Sequence, residues 1–468
     1  MRNKLIIFIS ILIPPLIALY IFFPLLFFYF FQDDWFNFNI TNINNIQGYI
    51  SFFKFRNDII AYRPVGLQTF FFVYRHLFDL NALPIRIINF GLLALSYTLV
   101  MQLFFKISKS KFIGYFTGTL WIVSSIHFMN IGVINYNLLG TFFWLIIFLL
   151  YLKYIETSKK IFYLLSILTF VFTLGIFENV LSWPFAAGVL SLIVLKKSFK
   201  DVLKIFLPFA IISVAYLLIR QIFIAHLDII EYETTFNVAS IKTFFWYVLW
   251  AFNVPEEFKK QILHSLLVFN PIFFKEYKGL IISAFAFAVA IIMLGIIVPV
   301  VKARRAIRVK SMKLVLYSIF WFCLTIFPVL LLPNHNFIMY LTLPLIGLCF
   351  LISYLIFLSK LKILYPVIFV VWLLSSINTL NFYKVNFFMV SSQKVSRDFT
   401  INMKNKFPIL PHGAVVYYPL NFKGDRQALL GQNAIRALYK DQTLVVLYSY
   451  QDIKNYFIVN PGENLFIY

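Results

Sequence analysis

Residues 5–31 read LIIFISILIPPLIALYIFFPLLFFYFF, an apolar run without a single charge. A helix of about 20 such residues crosses the roughly 30 Å hydrocarbon core of a bilayer, and this run is about twice the length of a signal-peptide core. Despite the basic start at Arg2 and Lys4, it reads as a retained membrane helix. The rest of the chain repeats the theme. Its 468 residues are 61% hydrophobic and 13% charged, with a mean hydropathy of +0.85, more apolar surface than any water-soluble fold could cover.

Ten further runs of spanning length are predicted at 84–105, 112–128, 138–154, 161–177, 180–195, 205–224, 280–301, 314–332, 337–358 and 363–380. With the first they make eleven. The fold class expected is an all-α polytopic membrane protein spanning residues 1–380, followed by a small α/β tail over 381–468. In the tail, GAVVYYP and TLVVLYS are short β-rich runs around the helical RQALLGQNAIRALYK.

The net charge of +23 would suggest nucleic acid in a soluble protein, but its distribution argues otherwise. An odd number of crossings places the termini on opposite sides. The loops on the N-terminal side then hold twenty of the 41 basic residues against only Glu156 and Asp201, and by the positive-inside rule that side is cytoplasmic. KARRAIRVKSMK is a topology anchor beside anionic headgroups, and no nucleic acid partner is expected. Sixteen of the eighteen acids then face outward, so chemistry belongs to the outer segments 32–83 and 226–279 and to the tail. The expected location is the cytoplasmic membrane, with the C-terminal domain outside.

Behind the first apolar run stands FQDDWFNFN. Asp33 and Asp34 are either a helix-terminating polar pair or a functional site. Two adjacent, partly dehydrated carboxylates repel, which leaves one with the raised pKa that a general base needs. Further on, Arg63 precedes Pro64, so an extended residue should be followed at once by a helix. Arg63, Arg75 and Arg86, along the outer loop and the entrance of the second span, can grip phosphate oxygens or act as interfacial anchors, and Arg220 near the outer end of its helix can snorkel. Glu178 is a functional candidate at membrane depth or a helix-start carboxylate. Cys323, Cys349 and the histidines show no metal-type spacing, and NIT at Asn39 matches a glycosylation acceptor pattern.

The acidic pair after the first helix, then YRP, then LFDLNALPIRIINF resembles the opening of the multi-spanning glycosyltransferases of the C superfamily (GT-C fold), particularly the protein O-mannosyltransferase-like branch. GIFENVLSWPFAAGVL, with Glu178 and Pro184, and NHNFIMYLTLPLIG resemble later motifs of that group. The resemblance covers about the first 350 residues. It implies a sugar donor carried on a polyprenyl phosphate and an acceptor hydroxyl on a glycan, lipid or protein. Asp33 matches the catalytic base, with Asp34 beside it orienting the acceptor or sharing the proton.

The chain departs from this pattern in one place. In several members a late-loop His is followed three residues later by an Arg that engages the lipid phosphate, whereas His335 is followed by Ile338. The contact must then come from Arg63, Arg75, Arg220 or His335 itself. HFMNIGVINYN lacks the second acidic motif that the oligosaccharyltransferase branch uses for a metal, so neither a divalent metal nor a cofactor is expected. The competing reading is a polytopic transporter or lipid-linked sugar flippase. Transporters commonly place ionisable groups at the bilayer midplane between related halves, whereas these acids collect at one rim.

Overall fold

The computed structural model describes the chain except residues 1, 44, 56–61, 134–135, 224–231, 264–267, 304–308, 420–422, 461–464 and 468. It is a predominantly helical, membrane-embedded bundle with a little sheet. Six helices are long and apolar enough to cross a bilayer: Leu83–Ser108, Tyr136–Thr157, Phe199–Phe223, Pro271–Ala303, Ser311–Leu330 and Leu364–Asn386.

The expected count of eleven spans is therefore corrected. Ile11–Phe27, Lys160–Leu174, Glu178–Val194 and Pro344–Ser359 are apolar but shorter, and so is Val238–Ala251, which the hydropathy reading passed over. Hydropathy registers composition, while local backbone chemistry cuts the helices. The first run carries Pro14 and Pro15 and tightens into a 3-10 turn at Phe23–Phe27. The run at 112–128 stops at Ile122 because a polar turn intervenes. There Asn253 Oδ1 accepts from Ser124 Oγ at 2.9 Å, Ser125 N at 3.0 Å and Ser125 Oγ at 2.9 Å. Hydrocarbon offers no such partners, so backbone leaves the helix only where protein supplies them.

The bundle has two chemically different ends. Lys106 Nζ meets Glu156 Oε2 at 2.6 Å, joining the last turns of Leu83–Ser108 and Tyr136–Thr157. Near the opposite end of the first of these helices, Arg86 donates from Nε to Phe28 O at 3.1 Å and from Nη2 to Tyr29 O at 3.0 Å. At 1.5 Å per residue, roughly 30 Å separates Arg86 from Lys106, the thickness of a hydrocarbon core.

The tail begins later than expected, because Leu364–Asn386 passes the proposed boundary at 380 before a second helix, Phe388–Lys406. Beyond it, Val415–Tyr417 pairs in parallel with Val445–Leu447 on one side and Leu465–Ile467 on the other. The two predicted β runs are the first two strands. The sheet is not an independent module. Phe399, Val416, Leu429, Ile435 and Val446 share one buried cluster with Phe30, Trp35, Phe38, Phe71 and Tyr74 of the first outer segment. Asn39 belongs to this seam: it is buried, donates to Asn433 Oδ1 at 2.8 Å and accepts from Gln442 Nε2 at 2.6 Å. Its NIT pattern is thereby a packing element in the folded chain.

Arg86 fixes how the first helix enters this seam. Its side chain is fully buried, 3.7 Å from Asp34 Oδ2, and Asp34 in turn accepts from Phe31 N at 3.2 Å. Removing one partner of a buried pair strands the other charge. Arg86→Met should lower stability in detergent by about 3 kcal/mol or more, read as a fall in the thermal unfolding midpoint. An unchanged midpoint would show that the clamp is dispensable.

Candidate functional site

The two adjacent acids serve different ends because they open a helix, Asp33–Ile40, on which neighbours are rotated by roughly 100°. Asp34 turns inward to Arg86, which corrects its expected role beside the acceptor. Asp33 turns outward. Its side chain is exposed at the surface, with protein packed closely around it. That dehydration raises its carboxyl above the usual range, and the nearby Arg63 charge opposes the rise without cancelling it.

Backbone docking positions Arg63. Val65 N and Gly66 N both donate to Gly175 O, at 2.9 and 3.1 Å. A Cβ on residue 66 would lie 2.6 Å from Ile176 O, so only glycine permits this approach. The docking carries Arg63 to Glu178, whose Oε2 lies 2.9 Å from both Nε and Nη2. The guanidinium also lies 3.9 Å from the Tyr136 ring centroid and 5.2 Å from that of Phe177. Burial works against its charge, but Glu178 outweighs burial and holds the Arg63 pKa above its ordinary value. Arg63 is not extended as expected: it sits at φ −134° and ψ 59°, away from the helical region, and a helical segment starts at Pro64 as the X-Pro pattern requires.

Arg220, in the last turn of Phe199–Phe223, adds its charge to the field on Glu178. His335 joins from the late loop. Its ring lies 4.3 Å from Tyr232 and 6.0 Å from Tyr340, centroid to centroid. Burial and then the Arg63 charge push its pKa down to about 4, so the imidazole is neutral near pH 7. Its Nδ1 is buried without a hydrogen-bond partner. The structure thus brings Asp33, Arg63, Glu178, Arg220 and His335 within electrostatic reach: Asp33, Glu178 and His335 each feel the Arg63 charge, and Glu178 also feels Arg220. Arg75 stands apart, with Nε 3.0 Å from Asp79 Oδ1 and Nη2 donating to Ala437 O at 3.0 Å.

Such a cluster combines a carboxylate suited to accept a proton with two guanidiniums whose charges both act on Glu178. Arg63 and Arg220 are matched in number by Asp33 and Glu178, so an arriving phosphate would be held by guanidinium hydrogen bonds rather than by an excess of positive charge.

Sequence reasoning passed over the support of the late loop. In FNVPEEFKKQ, Glu256 Oε2 accepts from Ile338 N at 2.9 Å, and the Glu256 amide donates to Tyr383 Oη at 2.9 Å. Lys259 Nζ donates to Asn336 Oδ1 at 2.8 Å. These contacts hold the segment that presents His335 and Tyr340. The available signal was two acids flanked closely by Phe252 and Phe258, since charge inside an aromatic stretch marks buried polar work.

Burial pushes the Glu256 carboxyl up to about 7 from 4.5. A raised acid pKa means that the folded state binds the extra proton. Its stabilising contribution is complete below pH 4.5 and is lost as the pH rises through about 7. Glu256→Gln keeps an acceptor for Ile338 N but cannot ionise. It should flatten the stability profile between those values and be more stable than the parent above pH 7, by on the order of 3 kcal/mol, measured as unfolding midpoints against pH. A variant that tracks the parent across the range would assign the slope to other groups.

No family model matches the chain, nor does any curated protein.

Proposed function

We propose that the protein is a membrane glycosyltransferase of GT-C type that moves a sugar from a polyprenyl-phosphate donor to an acceptor hydroxyl on the extracytoplasmic face. The observation that carries this reading is the cluster itself: Asp33 faces Arg63, with Glu178, Arg220 and His335 around them.

Asp33 takes the proton of the acceptor hydroxyl as that oxygen attacks the anomeric carbon. The bond from that carbon to the phosphate oxygen breaks on the opposite face, and the anomeric centre inverts. A phosphate ester anion leaves at neutral pH without being protonated, so no acid is needed opposite the base. General-base catalysis gives roughly 10² to 10⁴-fold, and alignment together with cationic stabilisation of the departing phosphate supplies the rest. Arg63 and Arg220 are the cations for that phosphate. The neutral His335 contributes a hydrogen bond rather than charge.

The two ends of the bundle support a sidedness without a count of crossings. Lys106, Lys109, Lys111, Lys153, Lys159 and Lys160 cluster about the Lys106–Glu156 end. Asp33, Arg63 and Glu178 belong to the other. The positive-inside rule supports a cytoplasmic lysine end and an extracytoplasmic cluster. A transporter or flippase is disfavoured by the same arrangement, because the ionisable groups sit at one rim.

Asp33→Asn should reduce sugar transfer at least 10²-fold, measured with purified protein and a panel of polyprenyl-phosphate sugars, while the unfolding midpoint stays near the parent's. Parent activity should fall as the pH drops through the raised Asp33 pKa, because protonation removes the base. Full transfer by the variant, or labelling of a cysteine at position 33 from the cytoplasmic side alone, would sink the assignment.

A further inference from the structure

Away from Asp33, the seam between the first outer segment and the tail carries an open, shallow pocket of about 430 Å³. Its charged lining is Arg75, Lys404 and Lys440 against Asp79 alone. Arg75 is nine-tenths buried, and its third nitrogen, Nη1, has no hydrogen-bond partner. Lys404 Nζ lies 4.0 Å from the Tyr439 ring centroid, and that ring is anchored by its hydroxyl, which donates to Phe407 O at 2.5 Å and Met403 O at 3.0 Å. Asp79 is already paired with Arg75 at 3.0 Å, so the two exposed ammonium groups of Lys404 and Lys440 stand at the pocket without a counter-charge among its lining residues.

The surroundings specify what kind of anion. Arg75 lies on the helix Phe70–Phe78, which also exposes Val73, Leu77 and Phe78. Asp79 and Leu80 of the pocket stand just ahead of Leu83, where a membrane-crossing helix begins. The pocket therefore lies beside the start of a membrane-crossing helix, where headgroups would be met, and the helix that carries Arg75 also exposes an apolar face. We propose that it binds the phosphodiester of an anionic phospholipid and so docks the tail against the bilayer surface. This site is separate from the Asp33 cluster and does not depend on the activity proposed for it. Electrostatic attraction to anionic headgroups adds about 1 kcal/mol per basic residue at such a surface, so each lysine contributes several-fold to affinity.

The test uses the full chain in detergent micelles, with lipid adducts counted by native mass spectrometry. Phosphatidylglycerol should bind the parent at least several-fold more tightly than phosphatidylcholine. Lys404→Gln with Lys440→Gln should weaken phosphatidylglycerol binding about thirtyfold, in keeping with the loss of two headgroup-facing charges. Lys394→Gln with Lys454→Gln, two exposed tail lysines outside the pocket, makes the same charge change and should leave binding as in the parent. Equal binding by both double variants, or no preference for the anionic lipid, overturns the proposal. Glycerol phosphate binding as tightly as the lipid overturns the lipid assignment in favour of a soluble phosphate ligand. Unfolding midpoints of both double variants near the parent's exclude a folding defect as the cause of any loss.

Discussion

The fully buried guanidinium of Arg86 is the interaction on which the cluster depends. It accepts no water and must find its partners in protein, and it finds them in Phe28 O, Tyr29 O and Asp34. All three belong to the stretch where the first apolar run stops being helical. The extended link after Phe27 leaves carbonyls without intrahelical partners at membrane depth, and Arg86 supplies the donors. By fixing Asp34 inward, it also fixes Asp33 on the neighbouring helical face. One structural arginine thereby aims the exposed carboxylate of the cluster.

The acids and arginines divide along the same line between holding the fold and facing a ligand. Asp34, Arg86 and the Arg75–Asp79 pair belong to the seam with the tail. Asp33, Arg63, Glu178 and Arg220 belong to the cluster. Residue type does not distinguish the two groups, and sequence spacing does so only in hindsight: Asp33 and Asp34 diverge because a helix begins at Asp33, and Arg63 finds Glu178 across 115 positions because Gly66 lets two backbones touch.

Much of the architecture was legible in the residues because membrane helices and β runs leave periodic or compositional marks. Helices underlie the predicted apolar runs, and the first two tail strands lie in the β-rich runs GAVVYYP and TLVVLYS. Their lengths were not legible. The Ser124–Ser125 turn stops a helix only because Asn253, over a hundred residues away, receives its donors. Five of the seven site residues read from the sequence, Asp33, Arg63, Glu178, Arg220 and His335, lie within electrostatic reach of Arg63 or Glu178, since they stand near the ends of apolar runs. The supporting Glu256 was missed because its partner is a backbone amide, Ile338 N, which no side-chain pattern announces.

The late loop carries the remaining step. At Ile338 the chain lacks the arginine that the resembled family uses for lipid phosphate, yet that residue is not idle: its amide is held by Glu256, and the same segment presents His335 and Tyr340. A cation at 338 would in any case stand near Arg63, whose charge already contributes to keeping His335 neutral. Within the proposed reaction, positive charge for the phosphate comes instead from the Arg63 and Arg220 side, where Glu178 prevents the two guanidiniums from repelling each other apart. The loop then serves as a rigid, uncharged wall, and its buried polar anchor at Glu256 keeps that wall in register with the base.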